Sequence, residues 1–355
     1  REGRLHILGE INQAISALSS AGGVILLSEG TFKTSDYIYP NRNKVGIVGQ
    51  GRDITIVQAQ SGFHANRGVL HGAPMTASAV EDWYIADLTL DANGNADDSL
   101  YGKFIRLYMR NVKLTAGTIY TANLRIEDSF LADVIALGSV TQTASIFDFK
   151  AVNSILLRIT ATGAPGRTGF WLNSHDNSWF IGCESYGNAH GLNCEDQGTG
   201  NEANRVHIIG GRYSNNQYSG IFIKGEAWSV IGAEVCNNNQ ANAGWGGIVL
   251  QPNAAVTRNV IMGCHIYDDQ GAPTQKYGID ERVGADGNVF VNNVVHGNTT
   301  AQINATGANT ICRYNQGHLT EASGTATFSG DGSTRAFSFA HGLAATPTHM
   351  EISPT

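Results

Sequence analysis

The 355-residue chain has a formal net charge of −7, with 15% charged residues, 43 glycines and only 7 prolines. The length allows a large buried core. The acidic balance excludes the basic surface that nucleic acid requires, and no apolar run approaches the ~20 residues of a membrane helix. Few charges with abundant Gly, Asn, Ser and Thr predict many short strands and tight turns rather than a helical protein.

In chain order, GEINQAISALSSAGG sets Ile11, Ala14, Ile15 and Leu18 at i, i+3, i+4, i+7 spacing, a helix over about 8–20 stopped at Gly22-Gly23. Strand-like runs follow at 24–32, 45–51 and 54–59. One amphipathic helix ahead of a long strand series is what a solenoid needs at its end. Without it the first coil would expose apolar core and unpaired backbone groups.

Internal repetition carries the most information. FIG (180–182), IIG (208–210), VIG (230–232), IMG (261–263) and FVN (290–292) align on a turn residue after an apolar pair, with spacings of 28, 22, 31 and 29 residues. Six residues after each turn residue stands Asn188, Asn216, Asn238, Asp269 or Asn298. Stacked in-register strands bring such residues about 4.8 Å apart, where Asn side chains form a hydrogen-bonded ladder. A second register interleaves: GFWLN (169–173), GLNCE (191–195), GIFIK (220–224), GIVLQ (247–251) and GIDER (278–282). Two strand registers per repeat of 22 to 31 residues fit coils of a parallel β-helix, with more degenerate coils upstream at 87–94, 111–117, 123–129 and 153–163.

The five cysteines, Cys183, Cys194, Cys236, Cys264 and Cys312, form no CxxC or Cys/His metal pattern, and buried thiols are expected. From about residue 318 the texture changes. TATFSGDGSTRAFSFAHGL holds two strand-like runs around an Asp-Gly turn, which predicts a β-helix over 1–317 and the start of a small β module or tail over 318–355.

The segment AISALSSAGGVILLSEGTFKTSDYIYPNRNKVGIVGQGRDITIVQA resembles the N-terminal part of the pectate-lyase-like right-handed parallel β-helix superfamily, and the likeness continues over roughly residues 8–316. Within it, TGFWLNSHDN and YGIDERVGADGNVFVNN look most like coils of mannuronan C5-epimerases and alginate lyases, and tailspike-type viral or archaeal β-helices share the same opening. The resemblance implies a polysaccharide context and an extracellular, virion or cell-surface location. The epimerase Asp-Pro-His after Tyr-Gly-Phe stands here as Thr168-Gly169-Phe170-Trp171-Leu172-Asn173-Ser174-His175. That implies His175 as the histidine and leaves Asp176 or Asp196 to stand for the aspartate.

Strand alternation assigns directions without any family. In the second register Phe170/Leu172, Leu192/Cys194, Ile221/Ile223 and Ile248/Leu250 face the core. The outward columns then read Trp171, Asn193, Phe222, Val249, Asp280 and Asn173, Glu195, Lys224, Gln251, Arg282. Aromatic faces beside hydrogen-bonding and charged groups suit a sugar chain. The expected catalytic set is His175, Asp176, Glu195, Asp196 and Lys224, with Trp171, Asn173, Asn193, Phe222, Gln251, Asp280 and Arg282 binding substrate. Glu195 and Lys224 also read as a plain surface pair, and Asp196 as a turn cap. Glu281 falls on the inward side, so either the strand ends there or a Glu is buried. Trp228 and Trp245 read as sugar platforms or core filling.

The expected function is β-elimination or C5-epimerisation of an anionic, uronate-containing glycan. The alternatives are a glycoside hydrolase on the same groove and a non-catalytic glycan-binding adhesin. The sequence requires no cofactor. Calcium is the one candidate ion, through Asp97-Asp98 or Asp268-Asp269. The chain is expected to act as a monomer or homotrimer.

Overall fold

The computed structural model describes residues 8–321 except 40–41, 64–67, 174–175, 195–202 and 252–255, with scattered positions beyond 321 and only the backbone of 8–10. The chain is a right-handed parallel β-helix of about 11 turns, with a single short N-terminal helix. Most of 318–355 lies outside the described residues, and its described positions form no strand.

Each coil lays short strands on three sheets. Sheet 1 carries the Gly-led register of the sequence, sheet 2 the apolar pair before the aligned turn residue, and sheet 3 the strand after it. The aligned turn residues Gly182, Gly210, Gly232, Gly263 and Asn292 all have positive φ, between 56° and 65°. Such a left-handed corner favours Gly and Asn without requiring them.

The pairing matches the sequence reading position by position. Phe170, Leu192, Ile221, Ile248 and Ile279 stack as one inward column of sheet 1, and all are fully buried. Burying each such side chain contributes about 1.5–3 kcal/mol. Trp171, Asn193, Phe222, Val249 and Asp280 form the neighbouring outward column. In sheet 2 one outward column runs Tyr108, Phe130, Ile155, Trp179, His207, Ser229, Val260, Val289, Ile311. Its neighbour begins at Arg110 and Ala132 and ends at Arg313.

The asparagine ladder exists, with one rung changed. The backbone N–H of Asn188 donates to Asn216 Oδ1 (3.1 Å), and that of Asn216 donates to Asn238 Oδ1 (3.2 Å). Asn238 N–H then donates to Gln275 Oε1 (3.1 Å), and Gln275 Nε2 donates to Asn298 Oδ1 (2.7 Å). Asp269 was expected as that rung, but it sits exposed and accepts from Asn237 (2.8 Å). The insertion before Gln275 moves an amide into the place, because an inward carboxylate there would face carbonyls and further acceptors. Two shorter ladders, Asn259–Asn288 and Asn293–Asn315, line other corners.

The first coil is closed by the helix Leu8–Ala17, which buries Ile11 and Ile15. It stops three residues before the expected end, because the Arg42 guanidinium takes the carbonyls of Ile15, Ser16 and Ser19, each at 3.0 Å. Gly22 (φ 87°) then passes so close to Lys44 that a Cβ would meet its carbonyl oxygen at 2.1 Å.

Glu281 is both the last residue of the strand Tyr277–Glu281 and fully buried. Strand ending alone does not expose it. Asn288 Nδ2 (2.8 Å), Gly307 N–H (2.9 Å) and Thr310 Oγ1 (2.6 Å) donate to its carboxylate from the coil beyond. Trp228 is core filling, with its indole N–H on the Ala203 carbonyl. All five cysteines are free, four of them buried. Burial raises the Cys183 thiol to about 12 and Cys264 to about 11.

Candidate functional site in the groove of sheet 1

Sheet 1 turns its polar columns toward a groove with two concave parts. The larger, about 630 Å³, lies over the coils at 120–173. Its floor is built by alternation: Arg125 on the strand Ala122–Glu127, Asp148 and Lys150 on Phe147–Val152, and Trp171 on Phe170–Leu172. Phe147 and Phe149 between them face inward, and Phe147 stacks on Phe170 at 5.4 Å. The loops at 143–145 and 166–168 form the walls, and Arg167 is fastened by Nε to the Gln142 carbonyl (3.2 Å). Gly169 leads the strand because a Cβ there would point into the interior and meet the buried Ser185 Oγ at 2.1 Å.

Asp148 is the hub of this groove. Its carboxylate accepts from Arg125 Nη1 (3.3 Å) and from Asn173 Nδ2 (2.5 Å), and Asn173 Oδ1 accepts the Trp171 indole N–H (3.2 Å). Trp171 and Asn173 are therefore held in place by the carboxylate they surround. Tyr120 lines the same groove, and burial, followed by Asp148 and Asp98, raises its phenol above the usual range. Asp98 lies behind it, buried, with Oδ1 lacking a partner. Burial, then Asp97, holds the Asp98 carboxyl well above the usual carboxylate range.

The second concavity, about 390 Å³, is lined by Gln251, Arg282, Val283, Asn304 and Thr306. Arg282 reaches Asp280 (3.0 Å) and Gln251, and its guanidinium lies 4.6 Å over the Trp245 ring. Asp280 also accepts from Asn304 (2.9 Å).

Between the two parts the outward column is covered rather than open. Asn193 and Phe222 are 4% exposed, Lys224 6% and Asp280 3%. Trp245 and Tyr218 close over Phe222 together with His190, whose Nδ1 meets Ser219 Oγ at 2.7 Å. Burial, then Lys224 and Arg282, pushes His190 down to about 4, so it is a neutral packing group.

Of the catalytic residues expected from sequence, His175, Glu195 and Asp196 lie outside the described residues. Asp176 begins the strand Asp176–Ile181 at the corner toward sheet 2, where it pairs with Arg205 (2.5 Å). Lys224 lies 5.3 Å over the Phe222 ring. Among the substrate-binding set, Trp171 and Asn173 line the larger part, and Gln251 and Arg282 the smaller.

Sequence reading missed Tyr120, Arg125, Asp148, Lys150 and Arg167. The signal was present in FDFKAV, where Asp148 and Lys150 alternate with two phenylalanines in the register of GFWLN. The coils upstream of Gly169 lack the leading Gly, which hid the alignment. Of the candidate calcium carboxylates, Asp268 accepts the N–H groups of Thr274 (2.7 Å) and Gln275 (2.8 Å). Asp97 accepts the Thr118 hydroxyl at 3.0 Å. Among the described residues no three His, Cys, Asp or Glu side chains converge on a metal position, and no helix is long and apolar enough to cross a membrane.

No protein-family model matches the sequence, and no curated protein matches it. Solved structures do. The Azotobacter vinelandii mannuronan C-5 epimerase AlgE4 A-module superposes with a TM-score of 0.68 at 19% identity, over 88% of this chain and 96% of that one. The AlgE6 A-module of the same organism gives 0.66 at 18%, over 86% and 93%. A tailspike protein mutant of E. coli bacteriophage HK620, in complex with pentasaccharide, gives 0.67 at 14%, over 88% of this chain and 63% of that one. At these identities the likeness establishes the β-helix.

Proposed function

We propose that the chain is a polysaccharide-active protein of the virion or cell surface, acting on an anionic, uronate-containing glycan by β-elimination or C5-epimerisation. One observation carries this reading: Arg125, Lys150 and Arg167 converge with Tyr120, Asp148 and the Trp171 ring in one groove. The indole offers a platform for the apolar face of a sugar ring. A uronate carboxylate against the three cations loses its negative charge, which makes its C5 proton removable. Asp148 takes that proton, and the electron pair moves into the neutralised carboxylate. On elimination that pair returns to form the C4–C5 double bond as the C4–O bond breaks, and Tyr120, kept protonated, donates to the departing glycosidic oxygen; on epimerisation it donates to C5 from the opposite face. The epimerase and tailspike neighbours agree with a glycan in such a groove.

Hydrolysis is a second reading with its own support. Asp98 and Asp148 stand in contrasting environments around Tyr120, one buried with its carboxyl raised and one hydrogen-bonded to Arg125. An acid and base pair needs such a contrast.

The test is an activity screen over alginate, pectate and bacterial exopolysaccharides, with and without a calcium chelator. Ultraviolet absorbance of an unsaturated uronate reports elimination, and inverted C5 signals report epimerisation. New reducing ends without absorbance report hydrolysis. Binding without turnover across the panel overturns the enzymatic reading in favour of an adhesin. Loss of turnover with Asp148→Asn but not Glu195→Gln supports chemistry in the larger concavity; the reverse overturns that assignment in favour of Glu195.

A further inference from the structure

Sheet 2 presents a face that the groove reading does not use. From the strand Phe130–Ala132 to the strand Val289–Val291, seven successive strands put no charged side chain outward in either column. One column reads Leu157, Ile181, Ile209, Ile231, Met262, Val291. These are partly exposed to solvent, Ile209 by 41%. The polar members of the other column are His207 and Ser229, and they spend their hydrogen bond on each other, Nδ1 to Oγ at 2.7 Å. The His207 ring also stacks on Trp179 at 5.3 Å. Toward the N-terminus Arg110, paired with Asp87, stands in one of the two columns, and beyond it Val24 and Leu26 occupy the same columns with 56% and 77% exposure.

Its dimensions are those of an interface. Strands about 4.8 Å apart make the uncharged stretch about 29 Å long, and two outward columns make it roughly 14 Å wide. The resulting ~400 Å², extended over the rings of Tyr84 and Tyr108 that stack on from Phe130, reaches the largest patches that monomers carry. With its rims it approaches the ~800 Å² per partner of a stable complex.

One rim is also bare. The corner bordering the face carries Gly182, Gly210, Gly232 and Gly263 in four successive coils. Neighbouring coils place Asp133, Arg158 and Asn292 at the same conformation, so the backbone alone does not demand Gly. A Cβ at Gly210, Gly232 or Gly263 would meet nothing within the chain.

We propose that this face of sheet 2 is the contact between copies of this chain, which associate side by side with their solenoid axes aligned. A flat apolar stripe requires an apolar stripe of equal length as its complement. Among the described residues, the outward faces of the other two sheets do not qualify. Sheet 1 presents Asp148, Lys150 and Arg282, and sheet 3 presents Glu184, Arg212 and Glu234. The matching surface is therefore the same face of a second copy.

The full chain is examined by sedimentation equilibrium, where an assembly has a multiple of 37.8 kDa. The expected result is an oligomer at micromolar concentration. The double variant Ile209→Glu/Ile231→Glu is expected to dissociate at least about 100-fold more readily, because it places unpaired charges in the contact. Circular dichroism confirms that it remains folded, and Glu184→Lys on sheet 3 leaves the mass unchanged. Should the double variant fail to fold, Ile231→Cys with a short bis-maleimide tests the same contact, with inter-chain cross-links above the parent expected. A strictly monomeric parent chain, an unchanged mass in the folded double variant, or no added cross-link overturns the proposal.

Discussion

Sheets 1 and 2 are built by one rule and end with opposite surfaces. Both alternate inward and outward with period two, and both put a fully buried apolar column between their outward ones: Leu172, Cys194 and Ile223 in one, Phe180, Ile208 and Val230 in the other. The core therefore cannot distinguish them. Outside, sheet 1 spends its positions on two hydrogen-bonded sets, Arg125 with Asp148 and Asn173, and Gln251 with Arg282 and Asp280. Sheet 2 spends the equivalent positions on aliphatic and aromatic side chains. A parallel solenoid thus separates stability from function: the inward columns and ladders hold the coils, and each outward face is free to specialise.

The sharpest way to break this comparison is at the groove. Asp148→Asn should lower turnover on the confirmed substrate by about 10²–10⁴-fold while unfolding stays cooperative, since it removes a proton acceptor and keeps the shape. Steady-state kinetics with a denaturation curve measures both. The complementary change, Ile209→Glu/Ile231→Glu, should leave turnover per chain within about twofold, because no groove residue lies on sheet 2.

Interior positions should respond alike whichever sheet they serve. Asn216→Ala leaves the backbone N–H of Asn188 without its acceptor and should cost about 2–3 kcal/mol of stability in urea unfolding. His190 sharpens the same point through pH. Its folded-state value, about 4, lies below the unfolded value of about 6.5. The unfolded chain therefore binds the extra proton first as pH falls, and stability is lost between pH 6.5 and 4, by about 1–3 kcal/mol. His190→Phe should flatten that slope in denaturation curves taken across the window. The smallest effect belongs to the corner: Asp176→Asn removes one exposed partner of Arg205 and should cost less than about 1 kcal/mol.

The architecture was largely legible in the chain. The Gly-led register assigned the inward partners Phe170/Leu172 through Ile248/Leu250, and the structure buries each of them. The recurrent Asn announced the ladder, except where the insertion at 270–274 let Gln275 replace Asp269. The site was legible only in part. Trp171, Asn173, Gln251 and Arg282 were found because they follow a recognisable Gly, whereas Asp148 and Arg125 sit in coils without that mark. Phe222 and Asn193 were correctly turned outward, but loops from other coils cover them, and period-two alternation carries no information about what lies above a strand.

By itself the sequence determined the parallel β-helix, its period, its corners and the direction of each side chain. These follow from local backbone geometry repeated every 22 to 31 residues. Only the tertiary structure decided which outward residues meet. Neighbours across coils, such as Arg125, Asp148 and Asn173, are some 25 residues apart in the chain. Insertions of unequal length at the corners set both their register and the loops that cover or expose them.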